Sequence, residues 1–236
     1  MIPLRDENPT RTTPYVVYGL IALNVAAFLY NGTLGLHAGN PLAGFELVPA
    51  ELTTGRDIGM PTPVPPWVTI FTSMFLHANW LHVFGNMLYL WIFGNNIEDV
   101  LGHFRFLIFY FVAGAGAAFA EVFINPTARV PMVGASGAIA GLLGAYLILF
   151  PRARIITLFF VQVIALPASI VLTYWIAIQV FNSLLLGSGM VPGGGVAYAA
   201  HIGGFGIGMA MILMFGGRRL LRGRRPVEYR RRYYWS

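Results

Sequence analysis

Ser136 is the residue whose surroundings best suit a nucleophile. It sits in Gly134-Ala135-Ser136-Gly137, with no bulky neighbour to keep a second chain from its hydroxyl. The apolar run that carries it predicts a helix over Val133 to Phe150. Ser136 then lies in the first turn, where backbone N–H groups lack intrahelical partners. Those donors and the positive end of the helix dipole suit a developing oxyanion. A serine hydroxyl needs a base to attack a carbonyl, and His201, in Ala200-His201-Ile202-Gly203-Gly204, is a base of the right kind. His82 and Asn86 are four residues apart and share one helix face. Both side chains can donate to an oxyanion. Each residue alone has a plainer explanation: a small residue for helix packing, a serine bonded to its own backbone, or a satisfied core histidine.

The elements that position these groups are membrane spans. Of the residues, 57% are apolar and 10% charged, and the mean hydropathy is +0.68. Several apolar runs approach the roughly 20 residues that cross a hydrocarbon core of about 30 Å. The sequence predicts an all-α polytopic membrane protein, a bundle of six transmembrane helices with a partly inserted irregular first loop. Residues 1–14 form a cytoplasmic segment, 15–216 the membrane domain, and 217–236 an Arg-rich cytoplasmic tail. The predicted spans are Tyr15 to Tyr30, a short helix after Ala78 capped by Asn79, Arg105 to Ile124, Val133 to Phe150, Pro167 to about Leu186, and Val196 to Phe215. Asn31-Gly32 ends the first. Pro167 would break a single long helix, so Ile155 to Leu166 is expected as an interfacial piece. The glycines from Gly187 to Gly195 predict a mobile loop.

Charge sets the orientation. The net charge is +6, and all 15 basic residues are Arg. Eight lie between Arg218 and Arg232, directly after an apolar segment, which reads as a topogenic tail facing lipid headgroups and not as a nucleic-acid site. With six spans, the amino terminus, Arg152/Arg154 and the tail share one side, the cytoplasm. The polar start lacks the layout of a signal peptide, so the first span is expected to be retained. There is no cysteine, which removes disulfide and thiol chemistry.

Depth brings the polar groups together. Ser136 and His201 each lie about 14 residues, or about 21 Å, from the inner end of their spans. Gly137, Gly141 and Gly144 in one span and Gly204 and Gly208 in the other allow close helix contact. No Asp or Glu lies in either span, so a dyad is expected, not a triad. Glu121 is a candidate to orient the imidazole. A metal site of His77, His82 and His201 is the alternative, but it lacks an HExxH signature and a nearby carboxylate base. A transporter using buried histidines is another, without the internal duplication that many transporters show. No cofactor or metal is expected.

Taken together, Gly134-Ala135-Ser136-Gly137, Ala200-His201 with Gly204 and Gly208, His77…His82…Asn86, and Glu98-Asp99-Val-Leu-Gly102-His-Phe-Arg105 resemble the rhomboid intramembrane serine proteases over roughly Trp67 to Gly208. The resemblance implies Ser136 as nucleophile and His201 as general base, then acid. It implies an oxyanion hole of His82, Asn86 and the Ser136 N–H. His77, Glu98 and Arg105 would be structural. Substrates would be single-span membrane proteins with small residues near the cleavage point and a helix that unwinds easily. Span five and the Gly187 to Gly195 loop would gate access. The setting would be a bacterial plasma membrane. Two departures stand out. Val68 follows Trp67 where many relatives have Arg, and Ala140 stands where some place an aromatic that stacks on the histidine. A catalytically dead relative that binds membrane clients would have lost Ser or His, and both are present.

Overall fold

The computed structural model describes residues 1–38, 40–58, 61–187 and 196–222. A strand, β1 (Ile2–Asp6), precedes the long helix α1 (Tyr15–Ala38). A short helix, α2 (Pro49–Thr54), follows in the first loop. Pro66 to Phe75 then forms a chain of tight turns around α3 (Thr69–Thr72). Helices α4 (Trp80–Tyr89) and α5 (Asn95–Leu101) join through a π turn at Leu90–Gly94. They are followed by α6 (His103–Ile124), α7 (Ser136–Leu149), strands β2 (Arg154–Phe159) and β3 (Gln162–Pro167), α8 (Ala168–Gly187) and α9 (Tyr198–Met214).

Among the described residues, three helices, α1, α6 and α8, are long and apolar enough to cross a membrane. Helices α7 and α9 are equally apolar but shorter, at 14 and 17 residues. Helix α7 is apolar on all sides, which suits a helix enclosed by protein. Ala138 to Tyr146 along it are buried without a break, against α6 and α9. The carboxylates of Glu98 and Asp99 hold the start of α1. Glu98, fully buried, accepts from Val16 N and Val17 N at 3.0 and 2.9 Å. Asp99 accepts from Arg11 N, Thr12 N and Thr12 Oγ1. Acidic groups at a helix N-terminus satisfy its orphan donors and its dipole. His103 also meets the Glu98 carboxylate through Nδ1, and Arg105, at the end of that turn, is exposed.

The all-helical expectation is corrected in one place. Strands β1, β2 and β3 form an antiparallel sheet in that order. The interfacial piece predicted from Ile155 to Leu166 is a β-hairpin, and the polar start of the chain supplies its third strand. The β-branched and aromatic density of Ile155, Ile156, Thr157, Phe159, Phe160, Val161, Val163 and Ile164 favours extended backbone. The first helix also runs past Asn31-Gly32 to Ala38. The Gly-rich segment expected to be a mobile loop falls largely on 188–195, and most of the Arg-rich tail on 223–236, both outside the described residues.

Candidate active site

Gly134 lies just before the turn that presents Ser136. Its φ is +117°, a conformation open to glycine at little cost, and its N–H donates to Ser73 O at 2.8 Å. Ser136 then opens α7 as its first residue. Helix α9 crosses α7 with backbone nearly touching backbone. A Cβ on Gly204 would lie 2.2 Å from the Gly137 carbonyl oxygen, and one on Gly208 would lie 2.0 Å from that of Gly141. Gly144 is similarly pressed on the Phe205 carbonyl. This approach brings His201 Nε2 to 2.8 Å from Ser136 Oγ.

The other ring nitrogen bears on the direction of the proton. His201 Nδ1 lies 2.8 Å from Gln179 Oε1 on α8. An amide oxygen only accepts, so Nδ1 carries the hydrogen and Nε2 accepts from the serine hydroxyl. Gln179 Nε2 donates to Trp175 O at 3.4 Å, which turns the amide oxygen towards the ring. Trp175 lies beside the imidazole, with ring centres 5.7 Å apart and planes tilted by 40°, and stacks on Phe205. Helix α8 therefore supplies both the acceptor and the aromatic cover. The cover that Ala140 lacks comes from another helix.

Glu121 does not meet the imidazole. Its carboxylate accepts from Asn125 Nδ2 at 2.7 Å and Ala200 N at 3.0 Å, fixing the first turn of α9. Gln179 is the residue that reading the sequence missed. A buried amide in an apolar span is a signal for function by itself, and Gln179 was legible by that rule.

His82 and Asn86 face Gly134 from α4. A Cβ there would lie 2.7 Å from His82 Nε2 and 3.3 Å from Asn86 Nδ2, so the absent side chain lets both approach the turn before Ser136. Asn79 caps α4 through His82 N at 2.9 Å, as expected from its type. Asn86 Nδ2 donates to His77 Nε2 at 2.9 Å, and the His77 and His82 rings meet edge to face. His77 thus braces Asn86. A cavity of about 550 Å³ unites Ser136, His201, His82, Asn86 and Trp175. Its wall includes the small residues Gly114, Ala117 and Gly137. Among the described residues, no group of three His, Cys, Asp or Glu is placed to hold a metal ion. The donor set is one of hydrogen-bond groups.

The rhomboid domain model matches residues 65–218, and the chain belongs to the rhomboid family, known as intramembrane proteases. It is 28% identical over 199 residues to yeast "Rhomboid protein 1, mitochondrial", covering 82% of this chain and 51% of that protein. It is 31% identical over 176 residues to "RHOMBOID-like protein 1" of Arabidopsis thaliana, covering 75% and 41%. Over 81 residues it is 40% identical to "Rhomboid protease GluP" of Bacillus subtilis, covering 34% and 15%. The chain spans about half or less of the length of these relatives. Matching relatives include mitochondrial proteins and the chloroplastic "Rhomboid-like protein 11" of Arabidopsis thaliana, 40% identical over 78 residues, covering 33% of this chain and 28% of that protein. The chain is a membrane protein of this family.

Proposed function

We propose that this protein is a serine endopeptidase that cleaves single-span membrane proteins inside the bilayer through a Ser136–His201 dyad. The observation that carries the proposal is the 2.8 Å contact between His201 Nε2 and Ser136 Oγ, with Nδ1 held by an acceptor. His201 takes the hydroxyl proton as Oγ attacks the scissile carbonyl carbon. The charge that forms on the carbonyl oxygen is met by His82, Asn86 and the Ser136 N–H. The imidazolium then gives its proton to the amide nitrogen, and the C–N bond breaks. Water, activated by the same imidazole, attacks the acyl ester, and the proton returns to Oγ as the acid product leaves. Lipid holds no water for the second half, and the cavity supplies a place for it.

Six crossings fit the chain if the α4–π–α5 rod joins α1, α6, α7, α8 and α9. The Arg distribution then puts both termini in the cytoplasm and the cavity mouth on the outer side. A bacterial plasma membrane is the setting carried over from the resemblance. Residues 15–216 would form the membrane domain, and 1–14 and 217–236 the cytoplasmic ends. Substrate helices would reach the cavity past α8. Exposing an amide from a helix in lipid is costly, so substrates with Gly, Pro or polar residues near the outer interface are favoured.

Purified protein in vesicles with a single-span substrate tests this. Cleavage and fluorophosphonate labelling are both expected in the wild type and both lost in Ser136→Ala, with cleavage also lost in His201→Ala. Cleavage that persists in both variants would exclude the dyad. A wild type that neither cleaves nor labels at Ser136 would favour a client-binding role.

A further inference from the structure

The β1–β2–β3 sheet packs one face on the protein, and the described residues leave the other, largely apolar face uncovered. Ile155 and Thr157 point inward and are fully buried. On the other face the register places Ile2 opposite Leu158 and Leu158 opposite Val163. That row crosses all three strands. Its outer members, Ile2 and Val163, are 51% and 60% exposed. An antiparallel sheet with one face in water normally alternates apolar and polar residues. This one does not.

The hairpin tip departs further from what water favours. A two-residue hairpin turn commonly takes Asn or Gly, because it needs positive φ. Here the turn is Phe160-Val161, and Phe160 holds a φ of +53°. These two side chains are 84% and 91% exposed. No charged residue occurs from Ile155 to Pro167. The charges lie toward the base: Arg5, opposite Ile156, and Arg152 and Arg154 are all exposed, and Arg154 also pairs with Glu7 at 3.5 Å. The base is also tied to two apolar helices. Ala168 N donates to Ala153 O and Ser169 N to Pro151 O, so the hairpin leaves the end of α7 and returns at the start of α8. A strand of six residues reaches about 20 Å from that junction.

We infer that this hairpin is an interfacial membrane anchor: its tip and outer face lie at the headgroup–acyl boundary of the leaflet where α7 ends, and the arginines at its base meet anionic headgroups. The occupant of the uncovered face is lipid. Three features select it over a second copy of the chain. The face continues directly from two apolar helices, the apolar tip and basic base match the layering of a leaflet, and the strained turn exposes aromatic and aliphatic side chains where turn chemistry calls for small polar ones. The anchor sits shallowly, so the free edge of β3 keeps hydration for its backbone groups. The inference requires only that α7 and α8 meet the bilayer, and it is independent of catalysis.

The absence of cysteine allows a single label without background. Val161→Cys would carry bimane in full-length protein in phosphatidylcholine–phosphatidylglycerol vesicles, with Arg56→Cys in the first loop as an exposed reference. Blue-shifted emission is expected at 161, with quenching by acyl-chain bromolipid at least threefold stronger than at 56 and weak quenching by aqueous iodide. Iodide quenching at 161 equal to that at 56 would overturn the proposal. With pyrene in place of bimane on the Val161→Cys variant, excimer emission that persists at high lipid dilution would overturn it in favour of a second copy.

Discussion

Replacing Gly204 by Ala adds one methyl group on α9, and the structure gives its consequence. The new Cβ would lie 2.2 Å from the Gly137 carbonyl oxygen and 3.2 Å from the Ala117 Cβ. An ordinary carbon–oxygen contact is about 3.3 Å, so α9 and α7 must part by about 1 Å. No flexible side chain can yield in their place, because the obstacle is backbone. The proposed dyad spans the same two helices, with Ser136 adjacent to Gly137 and His201 three residues before Gly204. Its hydrogen bond, now 2.8 Å, would open to about 3.8 Å, beyond useful range. A displacement of 1 Å at reacting groups costs on the order of 100-fold in rate, about 2.7 kcal/mol in barrier. Single-turnover cleavage of a single-span substrate in vesicles reads the chemical steps apart from product release, and fluorophosphonate labelling reads nucleophile activation without substrate. Gly206→Ala is the matched control, since nothing lies within 4 Å of its added Cβ. Both variants should remain folded, and only Gly204→Ala should lose about 100-fold in both assays. A folded Gly204→Ala protein within twofold of wild type would refute the link between helix contact and the geometry of the proposed dyad.

Two further outcomes follow from polar groups the helices bring together. Gln179→Leu removes the acceptor at Nδ1 and frees the imidazole to turn, so kcat should fall on the order of tenfold or more with KM little changed. Gln179→Glu should restore activity in part and move the acidic limb of the pH–rate profile upward, because a carboxylate favours the imidazolium. An unaltered profile in both variants would exclude a positioning role. Asp6 accepts from Tyr146 Oη at 2.9 Å and Asn96 Nδ2 at 2.7 Å. Its carboxyl pKa is raised to about 6, chiefly by burial, with those hydrogen bonds opposing. A raised carboxyl favours its neutral form in the fold, so its contribution is full below about pH 4 and is lost as pH rises through 6. Amide protection in β1 should therefore be greater at pH 5 than at pH 7.5 in the wild type and independent of pH in Asp6→Asn. Equal protection at both pH values in the wild type would contradict this.

Much of the site was legible in the chain because its cues are local or periodic. Small residues around Ser136, a His and an Asn four apart, and Gly at four-residue intervals are one-dimensional patterns with direct meaning in a helix. Asn79 as a cap is a local rule that held. The Ile155 to Leu166 segment is different. Its apolar run has no clean period; the β-branched and aromatic density that favours a strand is a local cue that reading the sequence missed, whereas the third strand lies some 150 residues away at the amino terminus and has no local cue. Asn31-Gly32 was misleading in the opposite sense, since a local helix-ending signal was overridden and α1 continues.

By itself, the order of residues determined that the chain is apolar enough for membrane and that Ser136 and His201 sit at matching depth, because hydropathy and helical rise are properties of a single chain. Only the tertiary structure decided which groups the imidazole meets. It set Gln179 and Trp175 against His201 and turned Glu121 to the backbone of Ala200. Those choices depend on how α8 and α6 are rotated about α9, and helix rotation is fixed by packing against neighbours far away in the chain.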